Sequence, residues 1–179
     1  MQNWFSKFKL LINLIKYRGI FFKKQYSKNG EDQYLKRIFK NKKKGIYLDV
    51  GAYHPYRASN TCLLYKKGWS GINVDISKES IDLFNIARPN DINLNIAIGD
   101  KNKVQTFYYK KQRHPMNTLN KEFAENYFYK KKTRIKKSKI MTRTFNYLVN
   151  DIKNIDAVLP ANHPKKELAN KKTKFECKI

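Results

Sequence analysis

Cysteine is nearly missing from this chain, and acid is scarce. Cys62 and Cys177 stand far apart, with no CxxC pair and no histidine beside them, which excludes a disulfide scaffold and a cysteine-type zinc site. The three histidines, His54, His114 and His163, are scattered without metal-ligand spacing. No apolar run is long enough to cross a bilayer, and the amino-terminal run lacks the small-residue cleavage site of a secretory signal. The expected location is the cytoplasm.

Acidic residues number 14 against 39 lysines and arginines, a net charge of +25 over 179 residues. Such an excess attracts phosphates in nucleic acid, anionic lipid or a charged glycan precursor. Many of the lysines sit beside asparagines and isoleucines, so much of the charge is also the mark of a general compositional bias. The length suits one domain, and 12 Tyr and 11 Phe supplement a hydrophobic fraction of 41% to make a core.

The chain is organised around IYLDVGAYHPYRASNTCLLYKKGWSGINVD, from Ile46 to Asp75. Ile46, Tyr47, Leu48 and Val50 predict a fully buried strand that ends in Asp49-Val50-Gly51. Leu63, Leu64 and Tyr65 lie in a helical run stopped by Gly68, and Ile72, Asn73 and Val74 begin a second strand that delivers Asp75. Strand, glycine turn, crossover helix and parallel strand make a βαβ unit, whose ligands sit at the carboxyl ends of the strands. Gly51 suits a turn with positive φ or a close ligand approach. Asp75 follows at about the distance where an acid accepts from ribose hydroxyls. The plainer alternative is a buried βαβ unit whose acids merely end its strands.

Before this unit, Trp4, Phe8, Leu11, Ile12 and Ile15 recur at helical spacing with Lys7, Lys9, Lys16 and Arg18 around them. The preferred reading is a helix packing its apolar face on the domain. The other is a basic amphipathic helix in peripheral contact with an anionic membrane at its inner face. Next, Ser27 to Asp32 forms a turn and helix start with Glu31 and Asp32 in the first turn, and Tyr34, Leu35, Ile38 and Phe39 supply its buried face.

After the unit, Ser77 caps a helix through about Arg88, and a third strand runs from Ile92 to Ile98, ending Ala97-Ile98-Gly99-Asp100. A strand over Val104–Tyr109 and a helix over 118–129 capped by Thr118 follow. The basic run Lys130–Lys139 resembles a nucleic-acid patch in composition only, so a solvated loop or hairpin is preferred. Strand pattern resumes at Ile140–Phe145, and Thr144 can cap a short last helix.

Taken together, SKNGEDQYLKRIF, YLDVGAYHPYRASNTCLLYKKGWSGINVD, INLNIAIGD, TFYY, Met116-Asn117-Thr118 and KIMTRTFNYL resemble the FkbM family of methyltransferases from about Tyr26 to Asn150. The resemblance implies an α/β fold, a Rossmann-like methyltransferase sheet with a parallel core, and S-adenosylmethionine as cofactor. It implies methyl transfer to hydroxyls, here of a sugar or surface glycan. By the same resemblance Asp49 and Gly51 form the first cofactor motif, Asp75 holds the ribose hydroxyls, and Ala97 and Ile98 flank the adenine. Asn60 and Glu31 fall near the pocket. His54, the histidine expected at the cofactor edge, is read as a turn stabiliser rather than a base, and no catalytic residue is assigned.

Family members continue with a strand ending like SIDVEG. Here Asn154-Ile155-Asp156 gives way to a tail with Pro160, Pro164 and seven lysines from Lys153 onward. The expected organisation is therefore an amino-terminal helix over 1–25, an incomplete methyltransferase domain over 26–155 with its carboxyl-terminal strands missing, and a disordered tail over 156–179. Two alternatives stay open beside the enzyme: an inactive remnant that binds cofactor or a partner, and a basic polyanion- or membrane-binding module. Acceptor and oligomeric state are not legible.

Overall fold

The computed structural model describes residues 4–18, 24–130, 132 and 134–153. The tail expected over 156–179 lies outside the described residues. In chain order the elements are α1 (Trp4–Arg18), α2 (Glu31–Ile38), β1 (Ile46–Val50), α3 (Cys62–Lys66), β2 (Ser70–Val74) and α4 (Lys78–Ala87). Then come β3 (Ile92–Leu94), β4 (Ala97–Ile98), β5 (Lys103–Tyr109), α5 (Lys121–Lys130), β6 (Lys136–Arg143) and α6 (Phe145–Lys153).

Among the described residues two three-stranded sheets result. The first has order β1-β2-β3 and is parallel throughout, with Leu48 opposite Ile72 and Ile72 opposite Ile92. The second has order β4-β6-β5, with β4 parallel and β5 antiparallel to the central β6. Strand side chains alternate between faces, and the two faces of the first sheet bury different things. On one, Ile72 and Val74 meet Leu148 of α6, with Leu48, Ile92 and Leu94 around them. On the other, Tyr47 packs with Leu64 of α3 and Trp69, against Leu35 of α2 and Phe39 at its end.

Several sequence expectations change here. The strand expected over Ile92–Ile98 is two strands in two sheets. Asn95 breaks it, because its side-chain amide donates to the carbonyls of Asp75 and Ile76 (both 3.0 Å) where the ladder would have continued. β1 is not fully buried: only Tyr47 is, Val50 is half exposed, and β1 has no strand on its outer side among the described residues. Along α2 and its C-cap, Leu35 and Phe39 pack inward while Tyr34 and Ile38 face solvent.

Thr118 does not cap α5, since it is bridged both ways to Tyr108 in the strand pattern. The Asn120 side chain caps instead, accepting from Phe123 N (2.8 Å). Part of the basic run expected as a solvated loop or hairpin is the start of β6, paired antiparallel with β5. The caps at Ser77 and Thr144 are as expected, accepting from Ser80 N (3.2 Å) and Tyr147 N (3.1 Å). Cys62 is wholly buried, and loss of water pushes its thiol up to about 11, leaving an inert apolar side chain.

Candidate functional site

The carboxyl ends of β1 and β2 open onto a cavity of about 770 Å³, within the usual range for small-molecule sites. One wall is Gly51, Tyr53, Asp75, Ile76, Ser77 and Ser80; a second is Gln25 to Lys28; the third is the loop around Arg113, His114 and Asn117.

Gly51 takes φ +75°, and a Cβ there would meet nothing within 4 Å. The glycine is thus demanded by conformation rather than by crowding. The turn lets the N–H groups of both Gly51 and Ala52 donate to the Val74 carbonyl (2.8 and 3.1 Å). The chain then passes through Tyr53, also at positive φ (56°), which aims its own N–H at Asp75 Oδ2 (2.8 Å). Ser77 N donates to Asp75 Oδ1 (2.7 Å). Asp75 is therefore a fixed carboxylate at the end of β2, 8% exposed. Loss of water pushes its carboxyl above the usual range, against the pull of those two N–H groups.

Of the seven residues implied as cofactor contacts, Gly51 and Asp75 line this cavity. Asp49 does not; its carboxylate turns to Thr61 Oγ1 (2.7 Å) and is pushed up by loss of water. Ala97 is buried with Phe107 and Ile140, and Ile98 packs toward Ile72 and Val74. Asn60 is exposed on its loop. Glu31 is exposed at the start of α2, where it accepts from Asn29 N (2.9 Å), and backbone hydrogen bonds hold its carboxyl below the usual range. The buried acid of that segment is Asp32, which accepts from Tyr26 N and Ser27 Oγ (both 2.6 Å) and so fixes the second wall.

His54 is wholly buried behind the glycine turn. Its Nδ1 accepts from the N–H groups of Tyr56 and Arg57 (3.0 and 3.1 Å), so the neutral ring carries its proton on Nε2, toward Asn13 Oδ1 of α1 (3.0 Å). Burial, with the charges of Arg113, Arg57 and Arg88, lowers its pKa to about 3.

Two features were missed in the sequence. His114 and Asn117 reach the cavity, because the loop after β5 folds back when Thr118 pairs with Tyr108. Asn117 Nδ2 ties that loop to the carbonyls of Lys111 and Gln112 (both 2.8 Å), and its Oδ1 is buried without a hydrogen-bond partner. Arg88 is the second: it looked like the end of a helix and is a wholly buried cation. Its guanidinium donates to Tyr47 Oη (3.0 Å), Thr61 Oγ1 (2.9 Å) and Ser59 Oγ (3.1 Å), between the rings of Tyr65 and Phe84. Tyr47 in turn donates to Asp91, which also accepts from Gly71 N (2.8 Å) and Asn73 Nδ2 (3.0 Å). The network fastens the loop after the glycine turn to β1, β2 and α4. Only long-range pairing shows it, and spacing along the chain carries no such signal.

A family model described as the methyltransferase FkbM domain matches residues 49–158, more than half of the chain. No curated protein and no solved structure matches it.

Proposed function

The chain belongs to the FkbM family of methyltransferases, and on that premise we propose that it uses S-adenosylmethionine to methylate a hydroxyl of a sugar or surface glycan. The observation that carries this reading is Asp75, a nearly buried carboxylate facing a cavity beside the positive-φ turn at Gly51. Two N–H groups occupy part of its hydrogen-bonding capacity, and a carboxylate has about four lone-pair sites, which leaves room for two ribose hydroxyls.

The other walls fit the same ligand. The open space at Gly51 admits a backbone-hugging chain, and Asn117 Oδ1 offers a buried acceptor still lacking a donor. When bound, the cofactor supplies an electrophilic methyl group on a sulfonium. The chain's task is to hold an acceptor oxygen in line with it and to keep water out. His114 Nδ1 accepts from Met116 N (3.2 Å), so its neutral ring presents a donor and orients an acceptor rather than deprotonating it. The sugar class rests on the family resemblance.

Calorimetric titration of the full chain with S-adenosylmethionine tests this. Saturable binding is expected, weakened by about a hundredfold or more in Asp75→Ala, since hydrogen bonds to a charged group contribute about 1.5–3 kcal/mol each. Binding should also fade on acidification at a higher pH than an ordinary carboxylate would dictate, because Asp75 must be ionised to accept and its pKa is raised. Absence of binding by the folded chain would overturn the proposal. A second reading, binding without turnover, is favoured by the unpaired outer side of β1 among the described residues. Binding with no methyl transfer to any glycan acceptor would select it.

A further inference from the structure

α1 is docked by the wrong face for a helix that exists only to pack. Leu10 and Leu14 are its buried apolar residues, seated on Leu83 of α4 beside Tyr56 and Ala87. Asn13 and Tyr17 share that side and hold His54 and Arg57. The larger apolar set, Trp4, Phe5, Phe8, Leu11, Ile12 and Ile15, is exposed, each by 46–68%. At roughly 100° per residue, these six fall on one stripe that faces away from the side holding Leu10, Asn13, Leu14 and Tyr17. Lys9 and Lys16 border the stripe on one side and Lys7 on the other, all three exposed. The sequence reading that this stripe packs on the domain is corrected: it points away.

We propose that the outer face of α1 is a docking surface for an anionic lipid bilayer. An apolar stripe rimmed by lysines lets the rings and aliphatic chains enter the acyl boundary while the ammonium groups stay at the phosphates. Trp4 and Phe8 stack (5.5 Å) at one end, and Trp favours the headgroup level. Charge selects the occupant. α1 holds no acid in WFSKFKLLINLIKYR, so a second copy laid on this face would set lysines against lysines, and the net charge of +25 repels it further. A bilayer bearing phosphates meets both the stripe and its rim. Because α1 is tied to Arg57 at the cavity lip (Arg57 Nη1 to Tyr17 Oη, 3.1 Å), anchoring holds the cavity beside the membrane.

The test uses the full chain with vesicles of phosphatidylcholine, alone or mixed with phosphatidylglycerol, read by co-sedimentation and by tryptophan fluorescence. Of the two tryptophans Trp69 is buried, so a blue shift on binding reports Trp4. Binding to the mixed vesicles with a blue shift is expected, with little to the uncharged ones. The double variant Phe8→Ser/Ile15→Ser, which touches only the exposed stripe, should bind at least about tenfold more weakly. Lys9→Gln/Lys16→Gln should lose about tenfold or more through charge alone. Equal binding by Phe8→Ser/Ile15→Ser and the parent would reduce the effect to bulk charge and overturn the proposal. So would absence of binding, or a parent that self-associates where that variant does not while vesicles stay unbound.

Discussion

His54 shows how one side chain can set a pH response without touching a ligand. In the folded chain its pKa is lowered to about 3, while an unfolded histidine titrates near 6.5. Between those values the unfolded state binds a proton that the folded state refuses, so stability falls as pH drops below about 6.5. At its steepest the loss is about 1.4 kcal/mol per pH unit. Asp49 and Asp75, with raised pKa values, act in the opposite sense in acid, because there the folded state is the better proton binder. A variant isolates the histidine. His54→Asn keeps an acceptor for the Tyr56 and Arg57 N–H groups, and its melting temperature should change less between pH 7 and pH 5 than the parent's. A parallel pair of curves would remove His54 from that role. At this scale the sequence disclosed the two residues whose position alone defines them, Gly51 at a strand end and Asp75 at the next. It concealed Arg88 and Asn117, whose meaning depends on partners from distant segments.

Elements were more legible than their faces. Apolar periodicity and cap residues located α4 and α6, and glycine marked the end of β1. Burial went astray wherever a strand or helix borders solvent: the pattern in α2 is the same whether Tyr34 or Leu35 turns inward. Crowding is decided across strands too. Gly71 sits in β2 opposite Tyr47 of β1, and a Cβ there would land inside the Tyr47 ring. Tyr47 cannot yield, since its hydroxyl lies between Arg88 and Asp91. Gly71→Ala should therefore cost about 3 kcal/mol or more, at the severe end for overpacking, seen as a denaturation midpoint moved to lower urea. A loss under about 1 kcal/mol would show that the ring can swing aside.

Over the whole molecule, charge is the feature that composition announced most plainly. Fourteen acids cannot neutralise 39 cations, and ion pairs such as Lys78–Asp82 and Lys121–Glu125 lie at the surface. Like-charge repulsion then works against the compact state. Raising the salt from low to physiological strength shortens the Debye length to about 8 Å, and the melting temperature should rise by a few degrees, on the order of 2–4 °C. A fall would mean that attractive pairs dominate.

Asn95 gives the two sheets a joint at the cavity wall. Its amide grips the carbonyls of Asp75 and Ile76, and both residues belong to the cavity wall. The chain leaves one sheet and enters the other at a residue that grips the backbone of the cavity-facing acid. Such a joint is placed to work as a lever: a rotation of the β4-β6-β5 sheet would be passed to the backbone of Asp75 through the two Asn95 hydrogen bonds. Mechanical play between the sheets and the set of the cavity wall are then one coordinate.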